Sequence, residues 1–268
     1  MYIADSYEDS FYILKKINEF SYKVIRKVNI KDEKKGFLNF FTKVNEKEKP
    51  EYLYLKFNQV NNKLYVYDSD FGLIKEYSIN GKFIQTLVDG IFLIDGRSIE
   101  LSPDGNIIGI AIPGRNTLFL FNIDGNLING FTTTYGNLCG QIAQPCFVSF
   151  DSLGNIYTVD TANYRVEVFN KEMKYLSHYE IGNSSTILGP QILIFEKAKI
   201  PFFVISQPWE KQLLIFSLDG SKLRILELKG FGFENPGSMT KDEAGNIYIL
   251  DNKNKFVSQI KLPDNLFE

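Results

Sequence analysis

Aspartate recurs at the ends of strand-like segments, and it is the residue type whose spacing most readily suggests chemistry. Asp5, Asp68, Asp160 and Asp251 each follow a short run of apolar and aromatic residues. A ring of such carboxylates could hold calcium or act in acid–base catalysis. The sequence favours a structural role, because an aspartate that ends a strand accepts backbone N–H bonds from the following turn. Arg165 is expected to pair with the same turn.

The remaining chemistry is limited by the single histidine and the two cysteines. His178 lies in a predicted outer strand, where one histidine supplies neither a channel base nor a zinc site. Cys139 and Cys146 are close in sequence and could form a disulfide or remain two reduced thiols. Glu100 and Asp151 lie near predicted inner strands but form no convincing metal set. The sequence therefore predicts no catalytic residue, no metal ligand and no cofactor.

The elements that would position these residues form a repeat, best seen in residues 144–170. PCFVSF, IYTVD and RVEVF read as three strands, separated by the turns DSLGN and TANY. β-Branched and aromatic residues fill the strands, while Asp, Asn, Ser and Gly fill the turns. The same Gly-Asn-Ile-Tyr occurs at Gly154 and again at Gly245, about two periods of 45 residues later. A fourth, outer strand follows in most copies, several of them after an Asn-Gly or Asp-Gly turn.

Six copies of the turn after the second strand span the chain. We place them at Asp5, Asp68, Ala111, Asp160, Gln207 and Asp251. A period of 40 to 50 residues with several strands per repeat is typical of a β-propeller with one blade per repeat. We therefore predict an all-β, six-bladed propeller of four-stranded antiparallel blades, in which residues 1–268 form a single domain. Residues 31–51 are predicted to be an inserted inter-blade segment, either an elongated loop or a short amphipathic helix.

The first and last blades are predicted to be incomplete. Met1 aligns with the start of a second strand, and the chain after residue 262 is too short for a proper fourth strand. The pattern then contains 22 strands, where six complete blades would contain 24. We expect an N-terminally shortened chain or an unusual seam. Open strand edges of this kind invite pairing with another chain, so a monomer is predicted unless these edges pair.

The run CGQIAQPCFVSFDSLGNIYTVDTANYRVEVF, residues 139–169, resembles an NHL-repeat blade. The resemblance rests on Pro before the inner strand, on Gly-Asn-hydrophobic-Tyr and on the Asp-Thr-x-Asn-x-Arg turn. It is specific in the fourth blade, good in the first and sixth, and loose in the others. It implies a six-bladed propeller used as a binding platform. A minority of related propellers are enzymes, including antibiotic lyases, amidating lyases and gluconolactonase-like hydrolases.

Composition narrows the function further. The net charge is −2 and the pI is about 5.7, which argues against non-specific nucleic-acid binding. No run of about 18 apolar residues predicts a membrane span. Aromatic residues make up 15% of the chain, as expected if large side chains pack between twisted blades. The opening residues read as a strand and a turn, not as a signal peptide. Because the N-terminus looks shortened, the compartment stays open.

The predicted function is non-catalytic binding of a protein, a peptide or a small ligand. Loops at one propeller face carry function on a rigid scaffold, and five side chains are predicted to bind the partner: Tyr7, Phe71, Arg115, Tyr164 and Trp209. Trp209 is the most suggestive, although it could instead pack between blades. The alternative function is a metal-dependent hydrolase of gluconolactonase-like type.

Charges in these loops are predicted to be mainly negative, which counts against RNA binding. Eight carboxylates face five bases there: Asp5, Glu8, Asp9, Asp68, Asp70, Asp160, Glu210 and Asp251 against Arg115, Arg165, Lys211, Lys253 and Lys255.

Overall fold

The structure, a computed structural model, describes most of the chain. The described residues are 1–5, 8–18, 21–30, 53–132, 135–182, 191–196, 198, 200–221, 223–242, 244–251, 253–254, 256–263 and 266–267. Tyr7 and the predicted insertion at residues 31–51 lie outside the described residues. Within this part of the chain no helix is long and apolar enough to cross a membrane.

Six small antiparallel sheets make up a six-bladed β-propeller, as predicted. Three complete or partial blades come from the first half of the chain. They are β1 (Tyr2–Asp5), β2 (Ser10–Asn18) and β3 (Ser21–Asn29); β4 (Leu53–Asn58), β5 (Lys63–Asp68), β6 (Leu73–Ser78) and β7 (Phe83–Asp89); and β8 (Ser98–Leu101), β9 (Ile107–Ile112), β10 (Thr117–Asn122) and β11 (Leu127–Thr132).

The second half supplies the other three blades. They are β12 (Pro145–Phe150), β13 (Ile156–Asp160), β14 (Arg165–Phe169) and β15 (Tyr175–Glu180); β16 (Ile192–Phe195), β17 (Phe202–Gln207), β18 (Gln212–Ser217) and β19 (Leu223–Glu227); and β20 (Pro236–Lys241), β21 (Ile247–Asp251) and β22 (Phe256–Ile260). The helical segments among the described residues are short 3₁₀ turns, at Ile91–Leu93, Pro113–Arg115, Thr161–Asn163 and Lys229–Phe231.

The described residues form 22 strands, and the first and last blades have three strands each. The prediction of incomplete first and last blades is confirmed for this part of the chain. In the first blade β1 is the edge strand of the sheet, in the order β1-β2-β3, and the turn that follows it matches the second-strand turn of the other blades. The predicted outer strands are also confirmed, as β3, β7, β11, β15 and β19.

The turn between the second and third strands has one backbone geometry in five blades. Its last residue adopts the left-handed conformation, with φ between 50° and 65°. These residues are Asp9, Gly72, Asn116, Tyr164 and Lys211. Each stands four residues after the end of the second strand. In the third blade that strand ends at Ile112, so the sequence alignment, which placed the turn at Ala111, was wrong by one residue.

The chain divides into two compact units, and in each unit apolar side chains are buried between neighbouring blades. The first comprises Met1–Gly114 and Phe119–Gly130, and the second Arg115–Leu118 and Phe131–Glu268. In the second unit, Phe203 packs between two blades, with its ring 5.2 Å from Phe216 and 4.9 Å from Tyr179. In the first unit Tyr65 and Tyr67 are fully buried against the next blade. Aromatic side chains therefore fill the space between sheets, as the composition predicted. That residues 1–268 form a single domain stays a prediction.

Candidate functional site

The turn after β13 shows what the recurring aspartate does. One carboxylate oxygen of Asp160, Oδ1, accepts the backbone N–H of Ala143 at 2.6 Å. The other, Oδ2, accepts bonds from Asn163 Nδ2 at 2.7 Å and from Arg165 Nε at 3.0 Å. Burial raises the pKa of Asp160, while these donors oppose the rise. The side chain thus joins the turn to the loop that enters the blade.

Asp251 does the same in the last blade. Its Oδ1 accepts the N–H groups of Lys253 and Asn254, at 2.9 and 2.8 Å, and its Oδ2 accepts those of Glu234 and Asn235, at 2.6 and 3.2 Å. Burial works against ionisation, but the backbone N–H bonds outweigh it and lower the pKa of Asp251. The structural interpretation of the repeated aspartate is supported by these contacts.

The turns that the aspartates stabilise carry the predicted binding residues. Trp209 lies between β17 and β18, and 64% of its surface is exposed. Tyr164, in the left-handed position before β14, is 40% exposed. Arg115 is exposed at the end of the 3₁₀ turn after β9, and Phe71 is half-buried between β5 and β6. The four side chains occupy corresponding turns of successive blades, and Trp209 does not pack between blades as the alternative interpretation had it.

Backbone hydrogen bonds hold the Trp209 turn in place. The N–H of Lys211 donates to the carbonyl of Pro208 at 3.3 Å, and the carbonyl of Lys211 accepts the N–H of Leu228 at 2.7 Å. On the β17 side, the Gln207 side chain accepts from Gln212 Nε2 at 2.5 Å. The exposed indole of Trp209 therefore stands on a turn whose backbone is held by hydrogen bonds.

The surface charge of these turns differs from the sequence-based count. Four of the eight carboxylates, those of Asp9, Asp68, Asp160 and Asp251, are fully buried. Arg165 is buried as well. Among the described residues of these turns, the acidic side chains that are exposed or half-buried are Asp5, Glu8, Asp70 and Glu210. The corresponding basic side chains are Arg115, Lys211 and Lys253. The expected excess of negative charge was therefore too large, because the sequence could not show which carboxylates point inward.

A buried charge network lies behind the turn of the fourth blade, and sequence analysis found only part of it. Arg165 contacts Asp160 as expected, and its Nη2 also lies 2.9 Å from Glu167 Oε1. Its remaining donors bind three carbonyl groups of the incoming loop: Nη1 to Asn137 at 3.0 Å, and Nη2 to Leu138 at 2.9 Å and Gln141 at 2.8 Å. The polar–apolar alternation of RVEVF was the one available signal, since it places Arg165 and Glu167 on the same face of β14.

Glu167 is the second charge of this network. Its Oε1 also accepts the N–H of Gly140 at 3.1 Å. Burial raises the pKa of Glu167 to about 7, although Arg165 and the Gly140 N–H oppose the rise. The other oxygen, Oε2, is buried without a hydrogen-bond partner among the described residues. The carboxyl group is thus poised to change charge near neutral pH.

The single histidine lies on the outer strand of this same blade. His178 lies on β15, the outermost strand, as predicted. Its Nδ1 is 2.8 Å from the hydroxyl of Tyr175, and its Nε2 is 3.5 Å from Glu180 Oε1. Burial, and after it the nearby Cys139 thiol, raises the pKa of Tyr175 to about 12.

The two cysteines are not joined in the structure. Cys139 is exposed in the loop that precedes β12, whereas Cys146 is buried on β12. Of the two alternatives left by the sequence, the structure shows two thiols. The disulfide expectation therefore receives no support from the structure, because one sulfur faces solvent and the other the interior.

The residues considered for a metal are occupied elsewhere. Glu100 pairs with Lys56 at 2.6 Å. Asp151 caps a turn, accepting the N–H groups of Leu153 and Asn155 at 3.0 and 2.8 Å. In the described part of the chain, no group of three or more His, Cys, Asp or Glu side chains is arranged to hold a metal ion.

Comparisons with known proteins show the fold and nothing finer. No protein-family model and no curated sequence matches the chain. Among solved structures, virginiamycin B lyase from Staphylococcus aureus aligns with a TM-score of 0.58 at 12% identity, over 80% of this chain and 71% of that one. A streptogramin B lyase aligns with a TM-score of 0.60 at 12% identity, over 80% and 70%. A protein of unknown function from Bacteroides caccae aligns with a TM-score of 0.63 at 12% identity, over 93% and 81%. The chain therefore shares the propeller fold of these proteins, and the NHL resemblance is not confirmed.

Proposed function

We propose that this propeller is a non-catalytic scaffold that binds a protein or peptide through the turns between its second and third strands. The observation that carries the proposal is the exposure of Trp209 on a hydrogen-bonded turn. An indole of this size is costly to leave in water, and tryptophan is among the residues that dominate binding interfaces. Tyr164 and Arg115, which occupy the same turn in preceding blades, belong to the other residue types that are enriched at such interfaces.

Charge supports a protein partner over a nucleic acid. Among the described residues, three basic side chains and four carboxylates in these turns are exposed or half-buried. Nucleic-acid binding needs a cluster of basic side chains to contact phosphates, and these turns do not present one. A partner segment with apolar side chains for Trp209 and Tyr164, and a carboxylate for Arg115, fits this surface. Phe71 and Tyr7 stay predicted members of the site.

The chain contains one tryptophan, so its fluorescence reports directly on the proposed site. Proteins captured by the immobilised propeller would first be compared with those captured by a Trp209→Ala/Phe71→Ala variant. A purified candidate would then be titrated into the wild-type chain. Docking on Trp209 is expected to shift its emission to shorter wavelength, and Trp209→Ala is expected to cost about 2 kcal/mol of binding, or about thirtyfold in Kd.

Leu153 offers a matched control. It is 78% exposed and lies on the turn between β12 and β13, at the opposite end of its sheet from Tyr164. Leu153→Ala should leave binding unchanged if the proposed turns are the site. Equal binding by the wild-type chain and by the Trp209→Ala/Phe71→Ala variant would show that the chosen face is wrong.

The fold similarity to streptogramin B lyases favours a second candidate, a lyase-like enzyme. One of these lyases is known in an inactive form, with a histidine replaced by alanine and quinupristin bound. The only histidine of the present chain lies on an outer strand, bonded to Tyr175. Incubation with quinupristin, followed by chromatography and mass spectrometry, separates the two candidates. The scaffold proposal expects no product, and a product lost in His178→Ala would establish the lyase.

A further inference from the structure

The hairpin of the first blade is longer than the corresponding hairpins of the other blades. β2 and β3 each contain nine residues, whereas the third and fourth strands of the second to fifth blades contain five to seven. Like those third strands, β2 begins directly after the left-handed residue of its turn, here Asp9. The added length therefore lies at the far end of the hairpin, where three residues of strand span about 10 Å.

Contacts with neighbouring elements locate the point where the hairpin leaves the propeller. β1 pairs with β2 as far as Ile13, and the Leu14 N–H then donates to the carbonyl of Met1 at 2.9 Å. The turn of the second blade packs at the same level, because a Cβ at Gly81 would meet Val28 and, at 3.1 Å, Ile13. Among the described residues, the ladder beyond Leu14 joins β2 to β3 alone. The end of the hairpin is thus a two-stranded ribbon, which gains little stability by itself in water.

The ribbon places like charges opposite each other. Lys15 and Lys23 pair directly across the ladder, and both side chains are exposed. Like charges in this arrangement destabilise a strand pair. Arg26 adds a third exposed base at the foot of the ribbon. These three bases have no ion-pair partner among the described residues.

Exposed aliphatic side chains lie among these bases. Ile17 and Ile25 are each 58% exposed, and Val24 is 50% exposed. Ile17 and Ile25 are also the two residues that the β2–β3 ladder skips, at its two register shifts. Bulges of this kind re-aim side chains and are over-represented next to functional sites. Here they accompany two large apolar side chains that stand in water beside cations.

The charge of the hairpin differs in sign from that of the whole chain. Residues 10–29 contain five basic residues and one acidic residue, in a chain whose net charge is −2. Lysines on an edge strand often serve to prevent pairing with other chains. That role does not account for Lys15, because β2 lies between β1 and β3 and is not an edge strand. The concentration of cations instead complements a partner with negative charge.

We propose that the end of the β2–β3 hairpin is a contact site for anionic phospholipid membranes. Lys15, Lys23 and Arg26 contact headgroup phosphates, while Ile17 and Ile25 enter the boundary between headgroups and acyl chains. A nucleic-acid strand suits the ribbon less well, since such strands are held by bases stacked on aromatic rings, and the exposed apolar side chains described here are aliphatic.

This site lies at the other end of β2 from the turn that follows β1. It is therefore separate from the turns proposed above to bind a protein, and it does not depend on them. The membrane would be met at the surface, through a ribbon that projects beyond the neighbouring blade.

Co-sedimentation of the full chain with vesicles tests the proposal. Vesicles of phosphatidylcholine alone would be compared with vesicles that also contain about 30% phosphatidylglycerol, at low and at high salt. Lys15→Gln/Lys23→Gln removes two charges from the ribbon. Lys171→Gln/Lys174→Gln is its matched control, because both lysines are exposed in the corresponding turn of the fourth blade. For the apolar contact, Ile25→Ser is matched by Ile225→Ser, whose side chain is 56% exposed on the outer strand β19.

We expect the wild type to bind the anionic vesicles at low salt and not the phosphatidylcholine vesicles. Lys15→Gln/Lys23→Gln should weaken binding about thirtyfold, since each lysine near an anionic surface contributes about fivefold. Ile25→Ser should weaken it about fivefold, through lost apolar burial. Both controls should bind like the wild type. Because the lysine substitutions relieve a cross-strand repulsion, the urea midpoint should not fall, which separates lost binding from lost folding.

Three results would overturn the proposal. The first is no binding of the wild type to anionic vesicles. The second is an equal loss of binding in Lys15→Gln/Lys23→Gln and in Lys171→Gln/Lys174→Gln, or no loss in the former, because the hairpin would then not be the contact. The third is binding of soluble polyglutamate or of an oligonucleotide without vesicle binding, which would assign the bases to an acidic protein or a nucleic acid.

Discussion

Replacing Arg165 with methionine is expected to destabilise the fourth blade strongly. Methionine is an unbranched side chain of comparable reach, but it lacks the charge and the donors of arginine. The guanidinium is 94% buried, since its side chain is 6% exposed, and it contacts Asp160 and Glu167 at 3.0 and 2.9 Å. The substitution therefore leaves two buried carboxylates without their cation and three loop carbonyls without their donor.

The expected loss in the free energy of unfolding is about 3–5 kcal/mol. Breaking a buried ion pair by removing one partner typically costs this much, because an uncompensated charge stays in the interior. That is a large share of the roughly 5–15 kcal/mol that stabilises a folded domain. By contrast, the exposed pair of Lys253 and Glu234 should contribute about 0–1 kcal/mol. Lys253→Met is therefore the matched control.

Urea unfolding followed by the single tryptophan gives the measurement. A double variant, Arg165→Met/Glu167→Gln, removes one of the two stranded charges and should recover part of the loss. The reasoning would be refuted if Arg165→Met cost less than about 1 kcal/mol, or if the double variant were no more stable than Arg165→Met alone, since both results deny that buried charge is the cause.

The pH dependence provides a second check of the same network. The pKa of Glu167 is about 7 in the folded chain, against an ordinary value of 4.5. The folded state therefore binds more protons than the unfolded state between these values. The contribution of Glu167 is greatest below about pH 4.5 and falls as pH rises towards about 7. We expect the urea midpoint of the wild type to decrease across this window, and Glu167→Gln to lack that decrease. Equal slopes in both proteins would contradict this assignment.

Three further substitutions test the turns. Gly72→Ala should lower the free energy of unfolding by about 1–3 kcal/mol, because Gly72 has φ +65° and an added Cβ would meet the carbonyl oxygen of Gly90. Gly114→Ala is the control, because a Cβ there meets nothing within 4 Å. In thermal unfolding, the control should differ from the wild type by less than about 0.5 kcal/mol. Asp251→Ala should lower stability by about 1–3 kcal/mol, because four backbone N–H groups lose their acceptor. Increased hydrogen exchange at the amides of Lys253 and Asn254 would locate the effect, and unchanged exchange there would show that the carboxylate is not the cap.

Local sequence was sufficient for the blades and their turns. Strands such as Ile156–Asp160 could be read from alternation and β-branched residues, and the Asp160 turn from residues that cap and bend the chain within a few positions. Even so, the third blade was misplaced by one residue, at Ala111 instead of Ile112, because its turn contains Pro-Gly-Arg and no aspartate marks the strand end.

Exposure and long-range contacts were decided by the tertiary structure. The sequence named Trp209 but left open whether it packs between blades, and it counted Asp68 and Asp251 as surface charges although both are buried. It paired Arg165 with its own turn but not with the carbonyl groups of residues 137 to 141, which lie 24 to 28 residues earlier in the chain. Strand period and turn type depend on neighbours in sequence, whereas these contacts depend on which loop the folded sheet brings against which strand.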